Sequence, residues 1–138
     1  MLATTFHETA NTMQPIAEYG KGAGRSYGVL DPVTGQTYYG RGFVQLTWKA
    51  NYTTFGNLLK IDLVNNPDLA MNITYATQIL FVGMTQGLFT GKKLSEYFTS
   101  TLADWVNARR IINGLDCANL IAGYGNTFYS AISYISTT

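Results

Sequence analysis

The stretch TFHETANTMQPIAEYG, residues 5–20, contains the two signals that decide how the start of this chain folds. One is a set of apolar residues at helical spacing, which predicts a helix over residues 2–13. These apolar residues are Leu2, Phe6, Ala10 and Met13. The other signal is Pro15, which ends the helix and allows the following chain to turn back.

Two glutamates lie on either side of this proline, with almost no other charge nearby. Glu8 falls opposite the apolar residues, so periodicity shows only that it is not a core residue. It is either a solvated surface residue or a carboxyl group facing a cleft, where apolar neighbours would help it to donate a proton near neutral pH. Glu18 would lie about 15 Å away on an unbroken helix. Because Pro15 breaks the helix, the two carboxyl groups could approach to about 6.5–9.5 Å, the spacing used in inverting glycoside hydrolysis.

The composition is that of one globular domain, residues 1–138, with few charges. Hydrophobic residues make up 46% and charged residues 12%, and the net charge is +1. This composition indicates neither a nucleic-acid partner nor an anionic membrane. No apolar run reaches the roughly 18 residues of a membrane span, and no signal peptide precedes Phe6.

The chain has one cysteine and one histidine. Cys117 therefore cannot form an internal disulfide, and together with His7 it cannot build a zinc site of nitrogen and sulfur ligands. We expect no metal or cofactor. Cys117 is interpreted as a small buried residue, and His7 as a structural one.

The rest of the chain reads as mostly helical, with a small β element in its first half. Residues 18–36, EYGKGAGRSYGVLDPVTGQ, predict a long irregular loop, and residues 37–46, TYYGRGFVQL, predict a short strand or hairpin. Five later helices are predicted. The first three run from a cap at Thr47 to about residue 60, from Asn66-Pro67 to near Gly87, and over 94–98. The fourth covers 102–112 with Gly114 as C-cap, and the fifth covers 116–135, with one side formed by Leu120, Ile121, Tyr124, Phe128, Ile132 and Ile135.

Three stretches resemble glycoside hydrolase family 19, which includes plant-type chitinases and phage or prophage endolysins of the lysozyme superfamily. They are FHETANTMQPIAEYG, YYGRGFVQLTWKANY and ARRIINGLD, and they occur in the family's order. With NNPDLA and GLFTGKKL between them, the resemblance to the endolysin branch runs from Leu2 to about Ile132. It implies a mainly α, α+β lysozyme-like fold with a small β hairpin beside a substrate cleft.

The resemblance also implies roles for single residues. Glu8 matches the general acid, Glu18 the general base, and Thr47 a hydroxyl that holds the attacking water. The positions that match substrate-binding residues are Gln45, Trp48, Asn51, Tyr52 and Asn113. At Leu120 the chain lacks an arginine that the chitinase branch carries, so no role is transferred there.

Five further residues are each open between two roles. Arg41 could pair with a catalytic carboxylate or tie the β element to a helix, and Tyr39, like Tyr38, could line the cleft or belong to the core. Of Arg109 and Arg110, we expect one to form an internal pair and the other to face solvent.

The leading hypothesis is a monomeric peptidoglycan hydrolase that cleaves β-1,4 bonds between amino sugars by inversion. In the endolysin branch such an enzyme is made in the bacterial cytoplasm and released to the periplasm and cell wall. Two alternatives stay open. The substrate could be chitin oligomers, or the protein could be an inactive module that binds cell-wall sugars.

Overall fold

The computed structural model describes residues 1–133 of the protein, which form four helices and one small sheet. In chain order these are α1 (Leu2–Glu8), β1 (Ile16–Ala17), β2 (Arg41–Gly42), α2 (Lys49–Leu59), α3 (Ile73–Gln86) and α4 (Ala118–Ile132). Short 3₁₀ helices lie between them at Ser26–Gly28, Pro67–Met71, Leu94–Glu96 and Asn107–Ile111. The predicted mainly helical class with a small β element is confirmed.

Helix α1 is shorter than predicted, because it ends at Glu8 rather than near residue 13. The buried hydroxyl of Thr9 donates to the carbonyl of Thr5 at 2.7 Å and accepts from the backbone N–H of Met13 at 3.0 Å. Side chains that bond nearby backbone groups in this way compete with helix continuation. The turn that follows has three non-glycine residues with positive φ, namely Ala10, Asn11 and Met13.

Strand β1 pairs antiparallel with β2, with Ile16 opposite Gly42. The prediction of a strand or hairpin within residues 37–46 is therefore half right. Strand β2 lies in that segment, but within it the only ladder contact is an isolated bridge between Arg41 and Leu46. The partner strand β1 comes from the chain that turns back after α1.

The hydrophobic core lies between the sheet, α2 and α3. Its most deeply buried large side chains include Tyr52, Phe55, Leu63, Ile79 and Ile111. Gly42 allows the sheet to approach this core closely, because a Cβ at its φ of +84° would lie 2.6 Å from the carbonyl oxygen of Ala70. The sheet is therefore fixed against the Pro67–Met71 segment.

The helices around the core differ from the prediction mainly at their starts. Trp48 rather than Thr47 is the N-cap of α2, and it makes no side-chain cap bond. The side chain of Asn72 caps α3, so the helix expected from Asn66 begins at Ile73, after a 3₁₀ segment. The predicted end of this helix near Gly87 is confirmed.

The C-terminal part is less helical than its apolar spacing predicts. The helices expected over 94–98 and 102–112 are only the 3₁₀ segments Leu94–Glu96 and Asn107–Ile111, and Gly114 is not a C-cap. Cys117, expected to be buried, is exposed and stands at the N-cap of α4 with a φ of +55°.

Helix α4 packs against α1 through aromatic contacts. The ring of Phe6 meets those of Tyr124 and Phe128 edge-on, with centroids 4.9 and 5.9 Å away. Leu120, expected on the apolar side, is 50% exposed, and Ile135 lies outside the described residues. No helix in residues 1–133 has the length and apolar character needed to cross a membrane.

Candidate active site

Glu8, the last residue of α1, forms an ion pair with Arg109. Its Oε1 lies 2.7 Å from Nη1 of Arg109, and the two side chains are only 17% and 3% exposed. An ion pair so shielded from water holds both groups in one geometry more firmly than a surface pair does. The surroundings of Glu8 thus include a guanidinium, which the sequence pattern did not indicate.

Arg109 is held in position by the segment that precedes α4. Its Nε donates to the carbonyl of Asp116 at 3.1 Å, just before α4. Its neighbour Arg110 is exposed, so the prediction that one arginine pairs internally and the other faces solvent is confirmed. The contact of Arg109 with Glu8 joins residues 101 positions apart, and nothing in the sequence pattern identified that partner.

Glu18 follows directly after β1 and is anchored to the residue that precedes β2. Its backbone N–H donates to the carbonyl of Gly40 at 2.8 Å, and the N–H of Gly40 donates to its Oε2 at 3.2 Å. The hydroxyl of Tyr27 donates to its Oε1 at 3.1 Å. Both carboxylate oxygens therefore accept hydrogen bonds from neutral groups, which fix the plane of the carboxylate.

Tyr27 belongs to the long loop that the sequence predicted, and sequence reasoning missed it. Burial and the hydrogen bond to Glu18 raise the pKa of Tyr27 above its ordinary value, so the phenol stays protonated and remains a donor. Its ring meets that of Trp48 edge-on, with centroids 5.3 Å apart. No motif marked Tyr27, since it stands in a glycine-rich segment that could adopt many conformations.

Thr47 and Asn51 lie at the start of α2, and the side chain of each donates a hydrogen bond to a nearby backbone carbonyl. The hydroxyl of Thr47 donates to the carbonyl of Gln45 at 2.7 Å, and the amide of Asn51 donates to the carbonyl of Thr47 at 2.7 Å. Because the hydroxyl proton of Thr47 is used in this way, its oxygen is left to act as an acceptor.

Gln45 joins the two strands. Its Nε2 donates to the carbonyls of Ile16 and Gly42 at 3.1 and 3.2 Å. Both amide hydrogens are thereby engaged within the protein, which leaves the side-chain oxygen as its free polar atom.

Two of the predicted substrate-binding residues are exposed. The ring of Trp48 is 51% exposed, and its backbone has a φ of +75°, which is rare for a bulky residue. Such conformations cost energy and are often found at functional sites. Asn113 is also exposed, and its side-chain oxygen accepts from the N–H of Gly114 at 2.8 Å.

The structure places Tyr39, Arg41 and Tyr52 inside the fold rather than at its surface. Tyr52 has no exposed area, and burial raises its pKa to about 12. The hydroxyl of Tyr52 donates to the carbonyl of Tyr39 at 2.8 Å and accepts from Arg41 at 3.1 Å. Arg41 also stacks on the ring of Tyr39 at 3.6 Å and pairs with Asp68 at 2.7 Å. All three side chains are buried, and Arg41 ties the sheet to Asp68 and Tyr52, which is one of the two roles left open for it.

No hydrogen bond or ion pair within residues 1–133 joins Glu8 directly to Glu18. A cavity of about 690 Å³ in this part is apolar, lies between the start of α1 and α4, and is lined by neither glutamate. The described residues also contain no group of three or more histidine, cysteine, aspartate or glutamate side chains that could hold a metal ion.

Comparison with known proteins identifies the family. The sequence model of glycoside hydrolase family 19, described as chitinase class I, matches residues 5–123. Chitinase 8 of Oryza sativa subsp. japonica is 43% identical over 61 residues, which are 42% of this chain and 23% of the rice protein. Inactive chitinase-like protein 1 of Hevea brasiliensis is 57% identical over 35 residues, 25% of this chain and 11% of that protein. This chain thus spans less than a quarter of the length of either relative.

The chain is also similar to a solved structure. A bacterial family 19 chitinase is 25% identical, with a TM-score of 0.46, over 81% of this chain and 52% of that one. The family match extends over most of the chain, including Glu8, Glu18 and Asn113. This protein therefore belongs to glycoside hydrolase family 19.

Proposed function

We propose that this protein hydrolyses β-1,4 bonds between amino sugars by an inverting mechanism, with Glu8 as the acid and Glu18 as the base. The observation that carries the proposal is the different environment of the two carboxyl groups. Glu8 is bonded to a cation, whereas Glu18 is bonded only to neutral donors. Inverting hydrolysis requires two carboxyl groups with different duties, one giving a proton and one taking it.

Glu8 can give its proton from the oxygen that Arg109 does not bind. Arg109 donates to Oε1, and Oε2 has no hydrogen-bond partner among residues 1–133. Before the reaction Glu8 takes up a proton from solvent on Oε2, and this proton passes to the glycosidic oxygen as the bond to the sugar breaks. The negative charge that then develops on Glu8 lies beside the guanidinium, which stabilises it.

Glu18 takes a proton from the water that attacks the sugar from the opposite face. Tyr27 and Gly40 hold the carboxylate in one plane, which orients its remaining lone pairs. The oxygen of Thr47, whose own proton bonds to Gln45, can accept the other hydrogen of the same water. The proposal requires a carboxyl separation of about 6.5–9.5 Å in the complex with substrate.

The substrate that we propose is peptidoglycan, because the motifs of the chain resemble those of the endolysin branch. A monomer made in the bacterial cytoplasm and released to the cell wall would follow from that resemblance. Chitin is the second candidate, because the rice relative and the solved structure are named as chitinases. An inactive sugar-binding module is the third, because the Hevea relative is named as inactive.

One digestion experiment separates these candidates. Purified peptidoglycan sacculi and chitin oligomers are incubated with the protein, and the products are identified by mass spectrometry and by new reducing ends. We expect soluble fragments from sacculi, with the sugar at the reducing end naming the bond that is cut. Hydrolysis of chitin oligomers alone would select the second candidate. Binding to sacculi without new reducing ends in any digest would select the third.

A further inference from the structure

Tyr27 contacts both the proposed base, Glu18, and the exposed ring of Trp48. Its hydroxyl donates to Oε1 of Glu18 at 3.1 Å. Its ring meets that of Trp48 at 5.3 Å, with an angle of 82° between the planes. An edge-to-face pair of this kind fixes the orientation of both rings. One side chain thus links the carboxylate of Glu18 to an exposed aromatic surface.

The backbone around Tyr27 is held in place on both sides. Its carbonyl accepts from the N–H of Tyr38 at 3.1 Å, and the carbonyl of Tyr38 accepts from the N–H of Trp48 at 2.9 Å. Tyr27 and Trp48 are therefore both hydrogen-bonded to the backbone of Tyr38. A shift of one would be transmitted to the other.

The glycine-rich loop packs on itself directly beside Tyr27. A Cβ on Gly28 would lie 2.0 Å from the carbonyl oxygen of Gly22, and Gly22 has a φ of +72°. Only glycines permit this approach. The two glycines close the loop tightly, so Tyr27 projects from a fixed base rather than from a free loop.

Trp48 presents its ring to solvent from an unfavourable backbone conformation. The side chain is 51% exposed, and its φ of +75° is maintained by the bonds on either side of it. A flat, exposed aromatic ring is suited to stacking on the face of a sugar. The unfavourable backbone conformation costs energy, and such conformations are common at functional sites, which indicates that the orientation of this ring is functionally important.

We propose that Tyr27 is a positioning residue that holds the carboxylate of Glu18 in register with a sugar stacked on Trp48. This inference rests on the proposed function. The hydroxyl sets the rotation of the carboxylate, and the ring sets the plane of the indole, so the attacking water meets the sugar at a defined angle. Displacement of reacting groups by about 1 Å can cost about 10²-fold in rate.

The test removes the two contacts of Tyr27 one at a time. Tyr27→Phe keeps the ring and removes the hydroxyl, so we expect kcat to fall about 10- to 100-fold with KM changed less than about twofold. Tyr27→Leu removes both contacts and should raise KM as well. Rates are measured as reducing ends released from the polymer that the wild-type protein hydrolyses, and melting curves confirm that each variant is folded.

Tyr19→Phe is the matched control, because Tyr19 lies in the same loop, is 85% exposed and has no side-chain hydrogen bond among residues 1–133. It should leave both constants unchanged. A Tyr27→Phe variant with wild-type kcat would overturn the inference while leaving the proposed function intact. Equal losses in kcat for Tyr27→Phe and Tyr19→Phe would also overturn it. If the wild-type protein hydrolyses neither polymer, the proposed function fails first and the inference falls with it.

Discussion

The two glutamates of this protein lie in contrasting environments. Glu8 meets a guanidinium that is almost fully buried, whereas Glu18 meets a phenol and a backbone amide. In the proposed reaction Glu8 becomes negative as it loses its proton, so a cation beside it assists the step. Glu18 becomes neutral as it gains a proton, so a cation there would oppose the step, and neutral donors orient it without that cost. In this proposal the two roles are distinguished by the partners of the glutamates and not by residue type.

The largest effect should come from Glu8 itself. Glu8→Gln preserves the shape of the side chain but removes the transferable proton and the charge that pairs with Arg109. We expect activity to fall by about 10²–10⁴-fold, while the variant still folds with a lowered melting temperature. Activity is measured as the release of reducing ends, and folding is measured by a melting curve. Glu96→Gln is the control, since Glu96 pairs with Lys92 at the surface. A Glu8→Gln variant with wild-type activity would reverse the assignment.

Arg109→Met should give the next largest effect. It leaves a shielded carboxyl group without its cation, and breaking such a pair costs about 3 kcal/mol in the free energy of unfolding. We also expect kcat of the folded variant to fall about 10-fold or more, because the charge on Glu8 is no longer stabilised. Arg110→Met, at the exposed neighbour, should change neither property. A fully active Arg109→Met variant would show that the guanidinium does not assist Glu8, and it would refute the proposed difference between the two glutamates.

Arg41→Met tests the other buried arginine, which has no carboxylate of the proposed pair as its partner. It removes bonds to Tyr52 and to two backbone carbonyls, so we expect a loss of about 2–3 kcal/mol in the free energy of unfolding. Urea denaturation measures that loss. Activity per folded molecule should fall less than in Arg109→Met. A raised KM with unchanged stability would contradict this structural role and favour a role of Arg41 in substrate binding.

The smallest effect concerns the loop on the Glu18 side. The hydrogen bond from Lys49, followed by bonds from Thr34, lowers the pKa of Asp31 to about 2. The carboxylate form thus favours the folded state, so its contribution is complete above the unfolded pKa of 3.8 and is lost as the pH falls toward 2. Asp31→Asn should lower the melting temperature slightly at pH 6 and not at pH 2. An equal difference at both pH values would exclude this ionic origin.

The sequence indicated candidate residues of the site but not the side chains that contact them. Glu8 and Glu18 were identifiable because they are isolated charges in stretches that resemble a known family. Tyr27 and Arg109 were not assigned to them, since contacts across a loop or across the fold leave no periodic signal. Tyr52 illustrates a further limit, because an aromatic residue in a matching motif can face either the core or the solvent.

Regular elements followed local signals where those signals were strong. The end of α3 at Gly87 was predicted because glycine readily adopts the left-handed conformation of a helix cap. The end of α1 was not, because Ala10, Asn11 and Met13 adopt positive φ without being glycines. The hydrogen bonds of the Thr9 hydroxyl hold that turn, whereas apolar spacing alone favours a longer helix.

The turn after α1 has a consequence for how active members of this family are recognised. A single hydroxyl group, on Thr9, bonds both the last turn of the helix and the chain that returns from it. Loss of that hydroxyl would favour the straight helix that the spacing encodes and would carry the segment before Glu18 away from the sheet. A variant that lacks this hydroxyl could thus be inactive although Glu8 and Glu18 are both present. The presence of the two glutamates in a sequence is therefore not sufficient to identify an active enzyme.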